Sequence, residues 1–263
     1  MSETHFPNKS LSEKLVSDTS FSVLAIDAGN TRIKWGVHAG GGWRATGSIG
    51  TAQSGALFAA LRPQFPVDAA IASNVAGPQV LANLEAACRE GGVKLDVIRA
   101  EREELGVTSA YRDPHQLGAD RWAALIAAHR GDEPGHKLVV NAGTALTIDA
   151  LGADGQFLGG LIVPGPALMR RSLHRGTADL PLAEGALVDF PATTPDAITS
   201  GAIQACVGAI ERLARAMASR GSPPGRIILS GGAAAEIAAS LPLPVNFREN
   251  LVLDGLALIA RKS

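Results

Sequence analysis

Short apolar runs recur along the chain, and polar or glycine-rich corners separate them, which is the pattern of buried strands joined by turns. The first run covers residues 23–27, a second covers 32–37, and a third, residues 43–49, follows a glycine-rich turn. Longer stretches with apolar residues at helical spacing then alternate with further strands. This alternation predicts an α/β fold, with a helix over 55–64, a strand over 68–75, a helix over 78–92 and a strand over 94–100.

The same succession begins again in the second half of the chain. After a predicted helix over 116–131, Asn141-Ala-Gly-Thr-Ala repeats Asp27-Ala-Gly-Asn-Thr in altered form at the corner between two strands. Two hairpins can share such a motif by chance, but the repeated order of elements favours two similar subdomains that face one another across a cleft. This half is predicted to have strands over 137–151, 156–164 and 226–230, and helices over 165–174, 196–219, 231–241 and 251–262.

The predicted organisation has three parts. Residues 1–20 are a polar N-terminal extension, residues 21–115 form a first domain with the first corner, and residues 116–263 form a second. A C-terminal helix over 250–262 is a candidate to pack back on the first domain.

The overall charge excludes some classes of partner. The 263 residues carry 24 Lys and Arg against 25 Asp and Glu, a formal net charge of −1, which gives no electrostatic basis for binding nucleic acid or an anionic membrane. No stretch reaches the ~20 apolar residues that a membrane crossing needs, and residues 1–20 lack the apolar core of a signal peptide. We therefore expect a soluble, cytoplasmic protein whose two cysteines, Cys88 and Cys206, are reduced core thiols.

The corner at Asp27 has the residue types that bind nucleotide phosphates. The P-loop pattern is absent, and the one loose dinucleotide match leads into a strand rather than into a helix N-terminus. Gly29 lets backbone N–H groups approach a phosphate closely. Asn30 and Thr31 add side-chain donors and Lys34 a positive charge, while Asp27 fits beside phosphate if a Mg²⁺ ion, reached through water, lies between them. The alternative is a hairpin whose Asn-Thr pair only satisfies its own turn.

A second candidate group, Gly118-Ala-Asp120-Arg121, lies near the start of a predicted helix. An Asp beside an Arg at this place is ordinarily a partner of the helix dipole and a surface ion pair. The same pair also suits a substrate that has both a hydroxyl and a carboxylate group. Arg121 would bind the carboxylate, and Asp120 would accept the hydroxyl proton as the oxygen attacks a γ-phosphoryl group.

Five motifs occur in order along the chain: DAGNTRIKW (27–35), YRDPHQLGADRW (111–122), NAGTALTID (141–149), GGLIVPG (159–165) and TTPDAITSG (193–201). Together they resemble type III pantothenate kinase, a family of the acetate and sugar kinase/Hsp70/actin superfamily, and the resemblance covers residues 21–260. It implies duplicated ribonuclease H-like domains of the actin-like ATPase type, facing across a nucleotide cleft. It also implies an enzyme, a phosphotransferase that uses ATP to phosphorylate pantothenate to 4′-phosphopantothenate in the first step of coenzyme A biosynthesis.

The resemblance assigns a role to each matching position. Asp120 would be the catalytic proton acceptor, Thr194 would reach pantothenate across a homodimer interface, and residues 229–234 would lie near the nucleotide. The ATP-binding residues would be Asp27, Ala28, Gly29, Asn30, Thr31, Arg32, Ile33, Lys34 and, from the second corner, Thr144, with Asp27 holding Mg²⁺ through water. The pantothenate-binding residues would be Tyr111, Gly118, Ala119, Asp120, Arg121 and Thr194.

One position departs from the family pattern. Members commonly have Asp where this chain has Asn141, at a position associated with bound K⁺ or NH₄⁺. An amide oxygen can ligate K⁺ but brings no charge, so we expect the monovalent-cation requirement to survive weakly at best. Two alternatives to a pantothenate kinase stay open: a non-catalytic, regulatory ATP-binding homologue of the same fold, and a kinase for another small hydroxy acid or sugar.

Overall fold

The computed structural model divides the chain into two compact units. The first unit runs up to Arg99 and takes in the chain from Val252 onward, and the second unit is Ala100–Leu251. Each unit has its own sheet and its own apolar core, which contain Cys88 and Cys206, respectively, as buried free thiols. The residues that the structure describes are 21–57, 65–131, 133–182 and 184–262.

Strands and helices alternate through the described chain, as the sequence predicts. The strands are β1 (Ser22–Ala28), β2 (Arg32–Ala39), β3 (Gly42–Gly50), β4 (Ala69–Asn74), β5 (Leu95–Val97), β6 (Glu103–Glu104), β7 (Val107–Ser109), β8 (Lys137–Ala142), β9 (Ala145–Leu151), β10 (Gln156–Pro164), β11 (Arg226–Ser230) and β12 (Val245–Phe247). The α-helices are α1 (Pro78–Glu90), α2 (Ala119–Arg130), α3 (Pro166–Gly176), α4 (Thr194–Ala218), α5 (Ala234–Ala238) and α6 (Leu251–Ala260). Thr51–Ala56 and Pro114–Gln116 are short 3₁₀ helices.

The first unit is built on a five-stranded sheet in the order β3-β2-β1-β4-β5. Strand β1 pairs antiparallel with β2 and parallel with β4, so it lies at the centre of the sheet. A central strand is covered on both faces and reads as a continuous apolar run, which is why residues 23–26 of β1 are all buried. The carboxyl end of this strand, where Asp27 lies, therefore has a rigid support.

The second unit repeats this topology on a larger sheet, in the order β12-β11-β8-β9-β10-β7-β6. Read from β10 to β12, five of its strands have the same order and the same directions as the five strands of the first unit. The register repeats as well, because Asp27 lies opposite Ser73 in the first unit and Asn141 lies opposite Ser230 in the second. The duplicated plan that the sequence predicts is therefore present in both units.

The division of the chain differs from the predicted one. The sequence predicts a first domain that ends at residue 115, whereas in the structure the first unit ends at Arg99. The reason is that β7 pairs in parallel with β10, which ties the segment after Arg99 to the second sheet. Strand β7 has three residues and β6 has two, too few to give a periodic signal in the sequence.

The C-terminal helix belongs to the first unit from Val252 onward. Its Asp254 Oδ1 accepts a hydrogen bond of 2.9 Å from the indole Nε1–H of Trp43 on β3.

The helix predicted over 55–64 begins as the 3₁₀ helix Thr51–Ala56, and from residue 58 it lies outside the described residues. The extension predicted for residues 1–20 also lies outside them. Every helix that the structure describes is too short or too polar to cross a membrane.

Candidate active site

The first corner, between β1 and β2, is fastened on both sides by backbone groups. The Gly29 N–H donates to the Arg32 carbonyl at 3.1 Å and closes the turn. Thr51, which follows β3, donates from Oγ1 to the Gly29 carbonyl at 2.8 Å and from its N–H to the Thr31 carbonyl at 3.3 Å. A Cβ atom on Gly29 would lie 3.1 Å from the Arg32 carbonyl oxygen, so the corner leaves little room for a side chain at this residue.

Asp27 lies at the carboxyl end of β1, half-buried, and its neighbours on both sides are polar. In the sheet register it is opposite Lys34 on β2 and Ser73 on β4. The buried Ser73 hydroxyl donates to Asp27 Oδ1 at 2.9 Å. This hydrogen bond orients the carboxylate. Ser73 is not among the site residues predicted from the sequence.

The other residues predicted to bind ATP in the first corner differ in their exposure. Ala28 and Ile33 are fully buried, so only their backbone groups are available to a ligand. Arg32 is exposed, and its Nη2 donates to Ser48 Oγ at 2.6 Å. Asn30 and Thr31 are also exposed, which suits side chains that donate to a ligand.

The second corner, between β8 and β9, is enclosed by two glycine turns. The Gly143 N–H donates to the Ala145 carbonyl at 3.0 Å, and the Gly165 N–H donates to the Thr144 carbonyl at 2.9 Å. Gly231 has a φ of 101° and lies against Ala142, where an added Cβ would be 2.4 Å from the carbonyl oxygen. The segment 229–234 therefore packs directly on the second corner.

Asn141 occupies the position in the second unit that Asp27 occupies in the first. It is half-buried, and its register partners are Ser230 on β11 and Thr147 on β9. These side chains offer neutral oxygen atoms, an amide and two hydroxyls. A neutral oxygen set can accommodate a monovalent cation but gives no charge to attract a divalent one.

Asp120 lies in the first turn of α2, a place where a carboxylate interacts favourably with the helix dipole. Its Oδ1 accepts a hydrogen bond of 2.8 Å from the Arg121 N–H. Burial raises the pKa of Asp120, and this backbone hydrogen bond and the charge of Arg121 oppose the rise without cancelling it. A Cβ atom at Gly118 would be 2.6 Å from Asp120 Oδ1, so glycine makes room for the carboxylate.

Arg121 does not form a surface ion pair with Asp120, which would be the ordinary role of an Asp-Arg pair at the start of a helix. It is 6% exposed, and its Nε donates to Asp149 Oδ1 at 3.2 Å and to Oδ2 at 3.1 Å, while Nη2 forms a further ion pair with Oδ1. Burial lowers the pKa of Arg121, but the hydrogen bonds and charge of Asp149 outweigh this effect, so the net pKa lies above its ordinary value. Nη1 donates to the Tyr111 hydroxyl at 3.4 Å. Arg121 thus contacts two other residues that the resemblance assigns to the pantothenate site, Tyr111 through Nη1 and Asp120 through its backbone N–H.

Asp149 is the residue of this group that sequence reasoning misses. It is 1% exposed on β9, between the buried apolar residues Ile148 and Ala150. A buried carboxylate with apolar neighbours needs a charged partner, and that is a signal visible in the sequence LTIDAL. The partner itself is not visible there, because it lies 28 residues away on α2.

The loop that carries Tyr111 is held by Arg102. Its Nη1 donates to the carbonyls of Ser109 and Tyr111 at 2.9 and 2.7 Å, and its Nη2 donates to the Arg112 carbonyl at 2.8 Å. The Tyr111 ring packs against Phe157 on β10 with 5.2 Å between the ring centroids. These contacts fix the position of the Tyr111 hydroxyl beside Arg121.

Thr194 stands apart from this group within the chain. It is exposed at the start of α4, directly after the capping residue Thr193. Among the described residues, its side chain makes no hydrogen bond to Tyr111, Asp120 or Arg121.

In the described parts of the chain, no three His, Cys, Asp or Glu side chains lie close enough together to hold a metal ion. A divalent cation at Asp27 would therefore take most of its ligands from water and from a bound phosphate group, which is the usual situation of Mg²⁺ at nucleotide sites.

Solved structures resemble this fold. A Campylobacter jejuni protein described as a Baf family transcriptional activator aligns with a TM-score of 0.58 and 21% identity, covering 91% of this chain and 98% of that chain. A Listeria monocytogenes protein described as an N-acetylmannosamine kinase aligns with a TM-score of 0.53 and 15% identity, covering 92% and 98%. At these identities the likeness shows the fold alone, and the fold is that of the actin-like ATPases, α/β with duplicated ribonuclease H-like domains, as predicted.

Sequence relatives are closer. A type III pantothenate kinase of Aromatoleum aromaticum is 48% identical over 240 residues, which are 91% of this chain and 98% of that protein. A type III pantothenate kinase of Dechloromonas aromatica is 43% identical over 242 residues, which are 92% of this chain and 100% of that protein. The family model of type III pantothenate kinase matches residues 23–216. The chain therefore belongs to the type III pantothenate kinase family.

Proposed function

We propose that this protein transfers the γ-phosphoryl group of ATP to pantothenate and forms 4′-phosphopantothenate, the first step of coenzyme A biosynthesis. The observation that carries the proposal is the carboxylate of Asp120, which lies at the start of α2 with its pKa raised by burial and with Arg121 and Tyr111 close by. A general base for a hydroxyl group needs a pKa nearer to neutrality than an exposed Asp has.

The corner at Asp27 binds the phosphates of ATP in this proposal. Its exposed Asn30 and Thr31 offer donors, and Gly29 allows close approach of the backbone. Thr144 contacts ATP from the second corner, beside the segment 229–234. Asp27 holds Mg²⁺ through water, and the ion, when bound with ATP, offsets the charge that develops on the transferred phosphoryl group.

The group around Tyr111 binds pantothenate. Gly118 and Ala119 supply backbone groups at the N-terminus of α2, and Asp120 accepts the proton of the attacking hydroxyl. Arg121 faces the substrate carboxylate through Nη1, because Nε and Nη2 are bound to Asp149. In this proposal the protein acts in the cytoplasm, where its substrate ATP is available.

The active form is a homodimer in which Thr194 of one subunit contributes to the pantothenate site of the other. An exposed apolar surface supports this proposal, since Phe190 is 93% exposed and Ile162 is 63% exposed. Large exposed apolar residues mark interaction sites when they are contiguous. We take as this surface eight exposed large apolar residues that follow one another along the second unit, namely Leu158, Leu161 and Ile162 of β10, Leu173 of α3, and Leu182, Leu187, Val188 and Phe190 of the following segment.

The decisive experiment measures ADP release from ATP by the purified protein with pantothenate, with pantoate and a panel of sugars as control acceptors. We expect release that depends on pantothenate and on Mg²⁺. The Asp120→Asn variant should bind both substrates but lose ~10²–10⁴-fold in kcat, as expected when a general base is removed. A variant with undiminished turnover would refute Asp120 as the base.

The same assay identifies the alternatives. Turnover with another acceptor but not with pantothenate would indicate a kinase for a different hydroxy acid or sugar. ATP binding without turnover in any salt would indicate a regulatory homologue. A series with Na⁺, K⁺ and NH₄⁺ measures the cation effect, which we expect to be weak because Asn141 brings no charge.

A further inference from the structure

We propose that Asp149 is a positioning residue of this site, which holds the Arg121 guanidinium away from Asp120 and so keeps Asp120 able to act as a base. The inference rests on the proposed kinase activity and deepens it. Asp149 itself touches no reacting atom in this proposal, since it acts only through Arg121.

The first observation is the geometry of the buried ion pair. Asp149 engages Nε and Nη2 of Arg121, the side of the guanidinium that forms a two-pronged contact with a carboxylate. The two side chains are 6% and 2% exposed, so water does not compete with the contact. Two of the three guanidinium nitrogens are thus bound to Asp149 on β9, and the third, Nη1, donates to the Tyr111 hydroxyl.

The second observation is the contact that Arg121 makes with the Asp120 carboxylate. Arg121 follows Asp120 directly in the chain, yet its contact with that carboxylate is made by the backbone N–H, at 2.8 Å, and not by the guanidinium. A direct ion pair with Arg would lower the pKa of an Asp by about 1–3 units. Such a pair would leave Asp120 a poor base for a hydroxyl proton at neutral pH.

Several charged or titratable groups of the described chain lie on Asp120's own helix and on the elements around it. Beside Arg121 on its own helix, β9 contributes Asp149, which is coupled to Asp120 by repulsion, and the preceding loop contributes the Tyr111 hydroxyl. Strand β8 contributes Lys137, whose Nζ lies at the other end of α2, 3.0 Å from the Ala128 carbonyl. Glu104 of β6 accepts the indole N–H of Trp122, the residue after Arg121. Of these groups, the Arg121 guanidinium is the cation that release from Asp149 would bring to Asp120.

The third observation is that the fold makes space for this pair. A Cβ atom at Gly160 on β10 would lie 2.1 Å from Asp149 Oδ1 and 2.7 Å from Arg121 Nη2. The absence of a side chain at residue 160 is therefore a condition for the contact between Asp149 and Arg121.

The test is the pH dependence of kcat/KM for pantothenate in the wild type and in Asp149→Asn. The amide keeps the shape of the side chain but gives up the charge that retains Arg121. We expect the acid limb to move to lower pH by about one unit or more, with a lower limiting kcat, because Arg121 then pairs with Asp120. An acid limb that does not move, in an active and folded variant, would overturn the inference.

The double variant Arg121→Gln/Asp149→Asn is the matched control, since it leaves no unpaired buried charge and folds even if the single variant does not. We expect its acid limb within about half a unit of the wild type, because neither charge then acts on Asp120. A rise of about 1–3 units in the double variant would mean that Arg121 pairs directly with Asp120 in the wild type, contrary to the inference. If the wild type itself has no turnover, the proposed function fails and not the role of Asp149.

Discussion

Gly160 has no side chain, and the space that one would fill is occupied by the ion pair of Arg121 with Asp149. Replacement by Ala would push a methyl group onto three fixed atoms, among them the Ile148 carbonyl oxygen at 2.6 Å. We expect Gly160→Ala to lower the free energy of unfolding by about 1–3 kcal/mol, the usual cost of overpacking, as measured by urea denaturation.

Gly208→Ala is the matched control for that substitution. Gly208 lies inside α4, and an added Cβ would meet no atom within 4 Å. Ala is a better helix former than Gly, so this variant should gain up to about 1 kcal/mol in the same experiment. If the two variants shift the denaturation midpoint equally, the steric argument at Gly160 is wrong.

The environment of Asp120 predicts a pH effect on activity. Because burial raises the pKa of Asp120 and a base must be deprotonated, kcat/KM should rise with pH through a value above the ordinary pKa of Asp. The effect of pH on stability has the opposite direction, because the folded state binds the Asp120 proton more tightly than the unfolded state. The stabilisation that comes from this proton is therefore complete below the pKa of Asp120 in the unfolded state. It is lost as pH rises through the pKa of Asp120 in the folded state.

Two measurements check this. A kcat/KM profile with its acid limb at the pKa of an exposed Asp would contradict the assignment. The difference in free energy of unfolding between Asp120→Asn and the wild type should shift in favour of the variant as pH rises through the acid limb. The reason is that the amide does not ionise, so the variant does not lose stability when Asp120 would lose its proton.

Sequence and structure give different amounts of information about these side chains. The Asp-Arg pair at the start of a predicted helix is enough to suggest a base and a carboxylate partner. It does not indicate that Arg121 turns to β9, since that depends on the close packing of α2 on the second sheet. Ser73 is missed for a similar reason, because its link to Asp27 is a cross-strand neighbour 46 residues away.

Helix α4 begins with a capping device that also holds the segment before it. Thr193 Oγ1 accepts the Asp196 N–H at 3.3 Å, and Asp196 Oδ1 accepts the Ala186 N–H at 2.7 Å. Hydrogen bonds with Thr193 and Ala186 lower the pKa of the exposed Asp196, so its contribution to stability is present above the unfolded pKa and is lost as pH falls.

Thr193→Ala should therefore cost about 1 kcal/mol in free energy of unfolding at neutral pH, the usual loss for a helix cap. Thr193→Ser keeps the hydroxyl and should stay near the wild type in the same thermal or urea denaturation series. Equal stability of the Ala and Ser variants would show that the cap contributes nothing.

Among the elements, the long ones are predictable, whereas three of the short strands are not. Strands β8, β9 and β10 and helix α4 have enough residues to give a clear period, and they lie close to the predicted bounds. Strands β6, β7 and β12 have two or three residues each, and pairing with a neighbouring strand rather than local sequence makes them strands.

The exposed apolar surface from β10 to Phe190 leads to a prediction about assembly. Ile162→Glu places a charge among these exposed apolar residues and should convert the proposed dimer into a monomer in sedimentation velocity experiments, with loss of pantothenate-dependent turnover. Phe247→Glu on the edge strand β12 is the control, because Phe247 is 57% exposed but lies outside this surface. A dimer that survives Ile162→Glu would place the interface elsewhere.

The duplication is the feature of the whole protein that the sequence reveals best. Repeated corners at Asp27 and Asn141 and a repeated order of elements predict two units of one topology, and both units have it. The boundary at Arg99 and the return of α6 to the first unit depend on long-range contacts, such as that between Trp43 and Asp254, which no local pattern encodes.

The packing of the C-terminal helix α6 in the first unit has a consequence for how the chain folds as it is synthesised. Trp43 and Asp254 are 211 residues apart, so the first unit lacks its last helix until the residues from Val252 onward have left the ribosome. The second unit is continuous from Ala100 to Leu251 and has all its strands earlier. Domains usually fold in the order of their synthesis. Here the N-terminal unit is expected to finish after the unit that follows it, and its sheet is exposed to chaperones and proteases for longer.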